Sequence, residues 1–268
     1  MKKWLQVIGW TLVTMVTYYI IEVVIHAVFR RPIQTADSNE QYSQYVLSAN
    51  IVLKAVTLLV FGFWYKFREK KNIRPDYRGV LKVRVFLCLA GIGFFGQYAA
   101  GFLMTLIHVV MPSIFEDYEK IMQAVSLDYA SPCLMLFLVG ILGPVAEEFL
   151  FRGVIYGKLR DVFTVTQAAV ISGAIFGIYH KNFVQGIYAA LFGILLAYIF
   201  EKTGTIWGAV LMHMIFNLSA YFVLWFNRML QQHAIFLPSL FYLLLDIASI
   251  VIVIFAVLSL RRRPNRYD

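Results

Sequence analysis

The chain has 268 residues, 60% of them hydrophobic and 15% charged, with a mean hydropathy of +0.72 and a formal net charge of +9. A soluble domain carries roughly 25% charged residues, so this composition excludes a soluble globular enzyme and defines an integral membrane protein. The basic balance does not describe a nucleic-acid surface, because Lys and Arg bunch at Lys2 and Lys3, between Lys66 and Arg84, and at Arg261 to Arg263. Those are places where a multi-pass chain meets anionic headgroups.

A spanning helix needs about 20 mostly apolar residues. Eight runs answer to that need in chain order, at about Trp4–Phe29, Tyr45–Tyr65, Val85–Val110, Pro132–Leu159, Phe163–His180, Val184–Phe200, Ile206–Phe226 and Ile235–Leu260. The first run is long for a secretory signal and no small-x-small cleavage site follows it, so it reads as an anchor. Residues 30–44 read as a polar loop, and 66–84 as a strongly basic one. The acidic segment 112–130 reads as a loop with a short amphipathic helix. The expectation is an all-α, polytopic membrane protein of about eight transmembrane helices, forming one transmembrane domain over 1–268. With the basic loops inside, both termini are cytoplasmic. Strand signals are absent, and an open sheet cannot cross lipid. Cys88 and Cys133 read as buried thiols with no disulfide framework.

The fourth run contains Gly143-Pro-Val-Ala-Glu-Glu-Phe-Leu-Phe-Arg-Gly153. Each ionisable group in lipid costs roughly 2.5–3.5 kcal/mol on insertion scales, and such a group is by default a functional site with a partner. Glu148 and Arg152 are four apart and share a helix face, so they can pair. Glu147 points about 100° round the helix, toward a cavity. A desolvated, unpaired carboxylate there suits a general acid or base. The competing reading is a structural ion network between helices. Pro144 removes a backbone hydrogen bond just ahead of the pair.

Two further groups follow. The fifth run ends in Phe176-Gly-Ile-Tyr-His180, and the seventh holds His213-Met-Ile-Phe-Asn217. A lone histidine near a helix end is more often structural than catalytic. Two histidines, an asparagine and a glutamate pair on three apolar helices supply a base, an imidazole and oxyanion donors, the parts of a hydrolase site. The remaining polar groups take plainer readings. Glu22 and His26, four apart near the outer end of the first run, and Lys54, near the outer part of the second, are expected to form an ion pair or to snorkel to the interface, and Asp246 has no evident partner.

The order Glu-Glu-x-x-x-Arg, Phe-x-x-x-His, His-x-x-x-Asn resembles the CAAX-protease and bacteriocin-processing (CPBP, or Abi) family of intramembrane endopeptidases. The resemblance covers about residues 141–218. It implies a membrane protease in which Glu147 is the general base and, with His180, activates a water. His213 and Asn217 stabilise the oxyanion, and Glu148 and Arg152 support the geometry. The family is described both as metal-free and as zinc-dependent. Glu147, His180 and His213 are donors enough for zinc, although no HExxH helix is present, and the metal-free description is preferred. The resemblance implies a multi-pass protein of the cell membrane acting on a membrane-associated peptide or protein. Peptide maturation, bacteriocin self-immunity and regulation are the associated roles. A prenylated substrate does not suit a compact bacterial chain. The alternatives are a non-catalytic regulator or immunity protein with a partner such as a sensor kinase, and a transporter. The transporter calls for inverted repeats, which the sequence does not show.

Overall fold

The computed structural model describes residues 2–69, 79–124, 131–233 and 239–260. Among these residues there are nine helices and no strand. We number them α1 (Lys2–Gln34), α2 (Asn39–Glu69), α3 (Val83–Val110), α4 (Pro112–Ala124), α5 (Pro132–Leu159), α6 (Val165–Tyr179), α7 (Phe183–Thr203), α8 (Ile206–Gln232) and α9 (Ser239–Ser259). Seven are long and apolar enough to cross a membrane: all except α4 and α6. The protein is therefore a polytopic all-α membrane protein.

The fifth expected span is the exception. It corresponds to α6, whose 15 residues give about 22 Å at 1.5 Å per residue, short of the roughly 30 Å hydrocarbon core. The expected loop at 30–44 also differs. Helix α1 carries on through Arg30 and Arg31 to Gln34, and α2 begins at Asn39. Cations in a last helical turn favour the macrodipole, so the polar residues prolong the helix instead of ending it. The acidic segment does carry a short helix, α4. Both cysteines are free thiols, but Cys133 is exposed and Cys88 half-buried, so neither is the fully buried thiol expected.

Helix starts follow local chemistry. Ser38 Oγ accepts the Gln41 N–H at 3.2 Å and caps α2. Thr164 and Gln167 cap α6 reciprocally: Thr164 Oγ accepts from the Gln167 N–H, and Gln167 Oε1 from the Thr164 N–H. That is the capping-box arrangement. Asn182 Oδ1 caps α7. Gly204, in the left-handed conformation at φ 68°, closes α7 by returning its N–H to the Phe200 carbonyl, a conformation glycine adopts without steric cost.

The helices fall into two compact units. The first comprises α1, α2, α5 and the first half of α6. In it, α5 is the central element: half of its apolar window is buried, against 11% for α1. Trp10 of α1 meets Trp64 of α2 edge-on at 5.5 Å, Tyr65 of α2 meets Phe149 of α5 at 5.4 Å, and Lys158 of α5 stands over the Trp10 ring. The second unit comprises α3, α4 to residue 121, the second half of α6, α7, α8 and α9. Its core gathers Leu89, Ile92, Leu196, Ile199 and Met212. Large apolar side chains such as Leu12, Leu59, Val109 and Phe255 stay exposed, as a surface facing lipid requires.

Candidate active site

In the first unit, α5 is one rod with two π-helical stretches, Leu138–Leu142 and Phe149–Tyr156, on either side of the α-helical turn and a half at Gly143–Glu148. The Gly143 N–H reaches back to the Leu138 carbonyl, five residues away. This wider turn accommodates Pro144, which lacks an N–H of its own. A Cβ at residue 143 would stand 2.9 Å from that same carbonyl, so glycine fits the tight return. Such π-bulges inside α-helices recur at functional sites.

The Glu148–Arg152 pair forms as the spacing requires. Arg152 Nη1 donates to Glu148 Oε1 at 2.9 Å, and neither side chain is exposed. Glu147 differs from expectation. It is not left to face a cavity alone: Lys54 Nζ donates to its Oε1 at 2.6 Å, with both side chains largely buried. Lys54 lies at the middle of α2, fifteen residues from Asn39 and fifteen from Glu69, and so does not reach an interface. Tyr18 and Glu22 of α1 are in electrostatic range of the same ammonium. The expected Glu22–His26 ion pair is replaced by a bond from the His26 ring to the Glu22 backbone carbonyl at 2.9 Å.

Sequence reasoning left Lys54 between an ion pair and an interface and named no partner for it, although a signal existed. Glu147 and Glu148 against Arg152 leave one negative charge over, and burial demands its neutralisation. Lys54 is a cation inside an apolar run that needed the same treatment.

The second unit holds the histidines. His180 stands just past the end of α6, where the chain turns through Lys181 at φ 56°. Its Nδ1 lies 2.8 Å from the Phe176 carbonyl. A carbonyl only accepts, so that bond puts a proton on Nδ1, and in the neutral imidazole the lone pair is then on Nε2. Phe176 is 1% exposed, and its ring meets His180 at 4.7 Å and His213 at 6.1 Å, edge-on in both cases. The phenylalanine of the motif therefore sets both imidazoles. Phe192 closes on His213 from α7 at 5.2 Å and stacks on Phe216. Asn217 is half-buried one turn beyond His213 on the same face of α8.

Close packing of α6 on α7 fixes this arrangement. A Cβ at residue 173 would fall 2.6 Å from Ile194 Cγ1 and 2.7 Å from the Ala190 carbonyl. Gly177 lies as close to Gly186 and Ala190. The small-xxx-small spacing of Gly173 and Gly177 is what admits the approach. On the other side of α8, Gln97 of α3 donates to the Phe216 carbonyl at 2.7 Å. Asp246 of α9 lies in electrostatic range of Tyr98.

The described residues contain no group of three His, Cys, Asp or Glu side chains arranged to hold a metal ion.

Each unit by itself thus holds part of the motif set: the first the buried carboxylate–cation pairs of α5, the second the two imidazoles packed on Phe176. Residues 129–219 match the family described as type II CAAX prenyl endopeptidase Rce1-like. The chain is also 26% identical over 186 residues to the protein named "Putative membrane peptidase YdiL" of Bacillus subtilis (strain 168), covering 69% of this chain and 73% of that one. No solved structure matches. Over the segment that carries the motifs the chain is thus similar to the CAAX-type membrane proteases, and its seven apolar helices make it a multi-pass protein of the cell membrane.

Proposed function

We propose that the chain is an intramembrane endopeptidase that hydrolyses a peptide bond of a membrane-associated peptide or protein with a water activated by glutamate and histidine. The observation that carries this is positional. Glu147, Glu148, Arg152, His180, His213 and Asn217 all fall inside the segment 129–219 that matches a peptidase family.

In this reading Glu147 takes a proton from water while His180, through Nε2, orients it. The water oxygen bonds to the scissile carbonyl carbon, and His213 and Asn217 donate to the oxyanion. Collapse breaks the C–N bond, and the proton held by Glu147 passes to the leaving amine. Glu148 and Arg152 touch no reacting atom; they hold α5 in register. Prenyl-cysteine substrates belong to the family's description, whereas the substrate favoured here is a bacterial membrane peptide, with maturation, bacteriocin self-immunity or regulation as its setting. The reading of the chain as a non-catalytic partner of a sensor kinase has no observation of its own in its favour.

The test is digestion of membrane-embedded peptides by the purified protein in 18O-labelled water. The reading expects cleavage, with one 18O in the new carboxyl group, and its loss in His180→Ala. Intact peptides with every substrate tried, or cleavage that His180→Ala leaves untouched, contradict it.

A further inference from the structure

The family match begins at residue 129, yet a direct ionic contact of the proposed base comes from α2, far outside it. We propose that Lys54 is a positioning residue for Glu147, holding that carboxylate ionised and in place so that it can accept a proton. The inference rests on the peptidase reading for its consequence, but its geometry stands apart from it.

The argument starts from solvation. A carboxylate taken out of water without a counter-charge neutralises by protonation. A protonated Glu147 has no lone-pair oxyanion with which to receive a proton from water. Lys54 supplies the counter-charge at 2.6 Å. Escape to an interface is closed to it, because it sits fifteen residues, or about 22 Å at 1.5 Å per residue, from either end of α2.

Other charged and titratable groups face the pair among the described residues. Tyr18 and Glu22 come from α1, and Glu148 and Arg152 from α5 itself. Arg152 is hydrogen-bonded to Glu148 and lies in electrostatic range of Glu147, while Lys54 touches Glu147 directly. Glu22 faces the same ammonium and keeps it from being an uncompensated charge whenever Glu147 takes up a proton. The pair thus divides the labour that the sequence alone assigned to one unpaired glutamate.

The experiment labels the full-length protein in lipid nanodiscs with dicyclohexylcarbodiimide, which reacts with protonated buried carboxyls, and reads the peptide containing Glu147 by mass spectrometry. Glu147→Gln gives the blank. The wild type is expected to label at trace level at neutral pH, Lys54→Met to label as the major product, and Lys54→Arg to return to trace. Equal labelling of wild type and Lys54→Met, whether low or high, overturns the proposal. To separate the effect from a loss of protein in the membrane, the double variant Lys54→Met with Glu22→Gln, which removes one charge of each sign, is read alongside and is expected to label as Lys54→Met does. Where cleavage is measurable, kcat falls by about 10²-fold in Lys54→Met, the lower end of a general base's contribution, with KM unchanged. A wild type that cleaves nothing defeats the peptidase reading, while the labelling still decides the role of Lys54.

Discussion

Arg152 and Glu148 form an ion pair within one helix, 2.9 Å apart, in a place where neither side chain is exposed. Four residues separate them, and the π-helical stretch from Phe149 to Tyr156 lies across that interval. The pair keeps two charges buried at the centre of the most enclosed helix of its unit. Removing one partner strands the other, which costs about 3–5 kcal/mol. Arg152→Met is therefore expected to lower the thermal midpoint of the protein in detergent and its accumulation in membranes. The double variant Glu148→Gln with Arg152→Met is expected to recover most of both. Fluorescence-detected unfolding and membrane immunoblots check this, and a double variant as unstable as the single one counts against the pairing.

The glycine contacts of α6 and α7 yield a second expectation. Gly173→Leu forces a side chain into Ile194 and the Ala190 carbonyl. Overpacking of this kind typically costs about 1–3 kcal/mol, and here it also displaces Phe176 and with it both imidazoles. The variant is expected to lose cleavage and unfold at lower temperature. Gly101→Ala, at a site with no atom within 4 Å of the added carbon, is the matched control and is expected to behave as wild type.

Phe176 gives a third. Truncating a buried phenylalanine costs about 3–5 kcal/mol, so Phe176→Ala is expected to destabilise. Phe176→Leu keeps most of the volume and loses the edge-on contacts to His180 and His213. It is expected to fold and to show a reduced kcat. An unaltered kcat in a folded Phe176→Leu protein contradicts the role given to the ring.

The metal question has a direct measurement. The glutamate–histidine water mechanism predicts that cleavage survives phenanthroline. Loss of activity that added zinc restores would reverse that preference and return Glu147, His180 and His213 to the role of ligands.

Legibility in the sequence followed the physics of each feature. The spans were readable because apolar length is a one-dimensional property. Their ends were less so, as α1 shows by running through Arg30 and Arg31. Helix α6 looked like a span because its apolar run includes residues on both sides of its caps, and only the Thr164–Gln167 box and the turn at Lys181 trim it to 15 residues. The Glu148–Arg152 pair was visible because i,i+4 spacing is local. Lys54–Glu147 joins residues 93 apart in sequence, and no local rule reports such a contact; only a charge balance across the spans hints at it. The structural job of Phe176 was hidden for the same reason, since His213 reaches it from another helix.

The central claim is that Glu147 is the base. The most direct measurement is the cleavage rate of one membrane-embedded peptide by wild-type protein and by Glu147→Gln, at equal amounts of folded protein in the same nanodiscs. The substitution keeps size and polarity and removes the proton acceptor. The account predicts a fall of about 10²-fold or more. A Glu147→Gln protein that cleaves at the wild-type rate would contradict it.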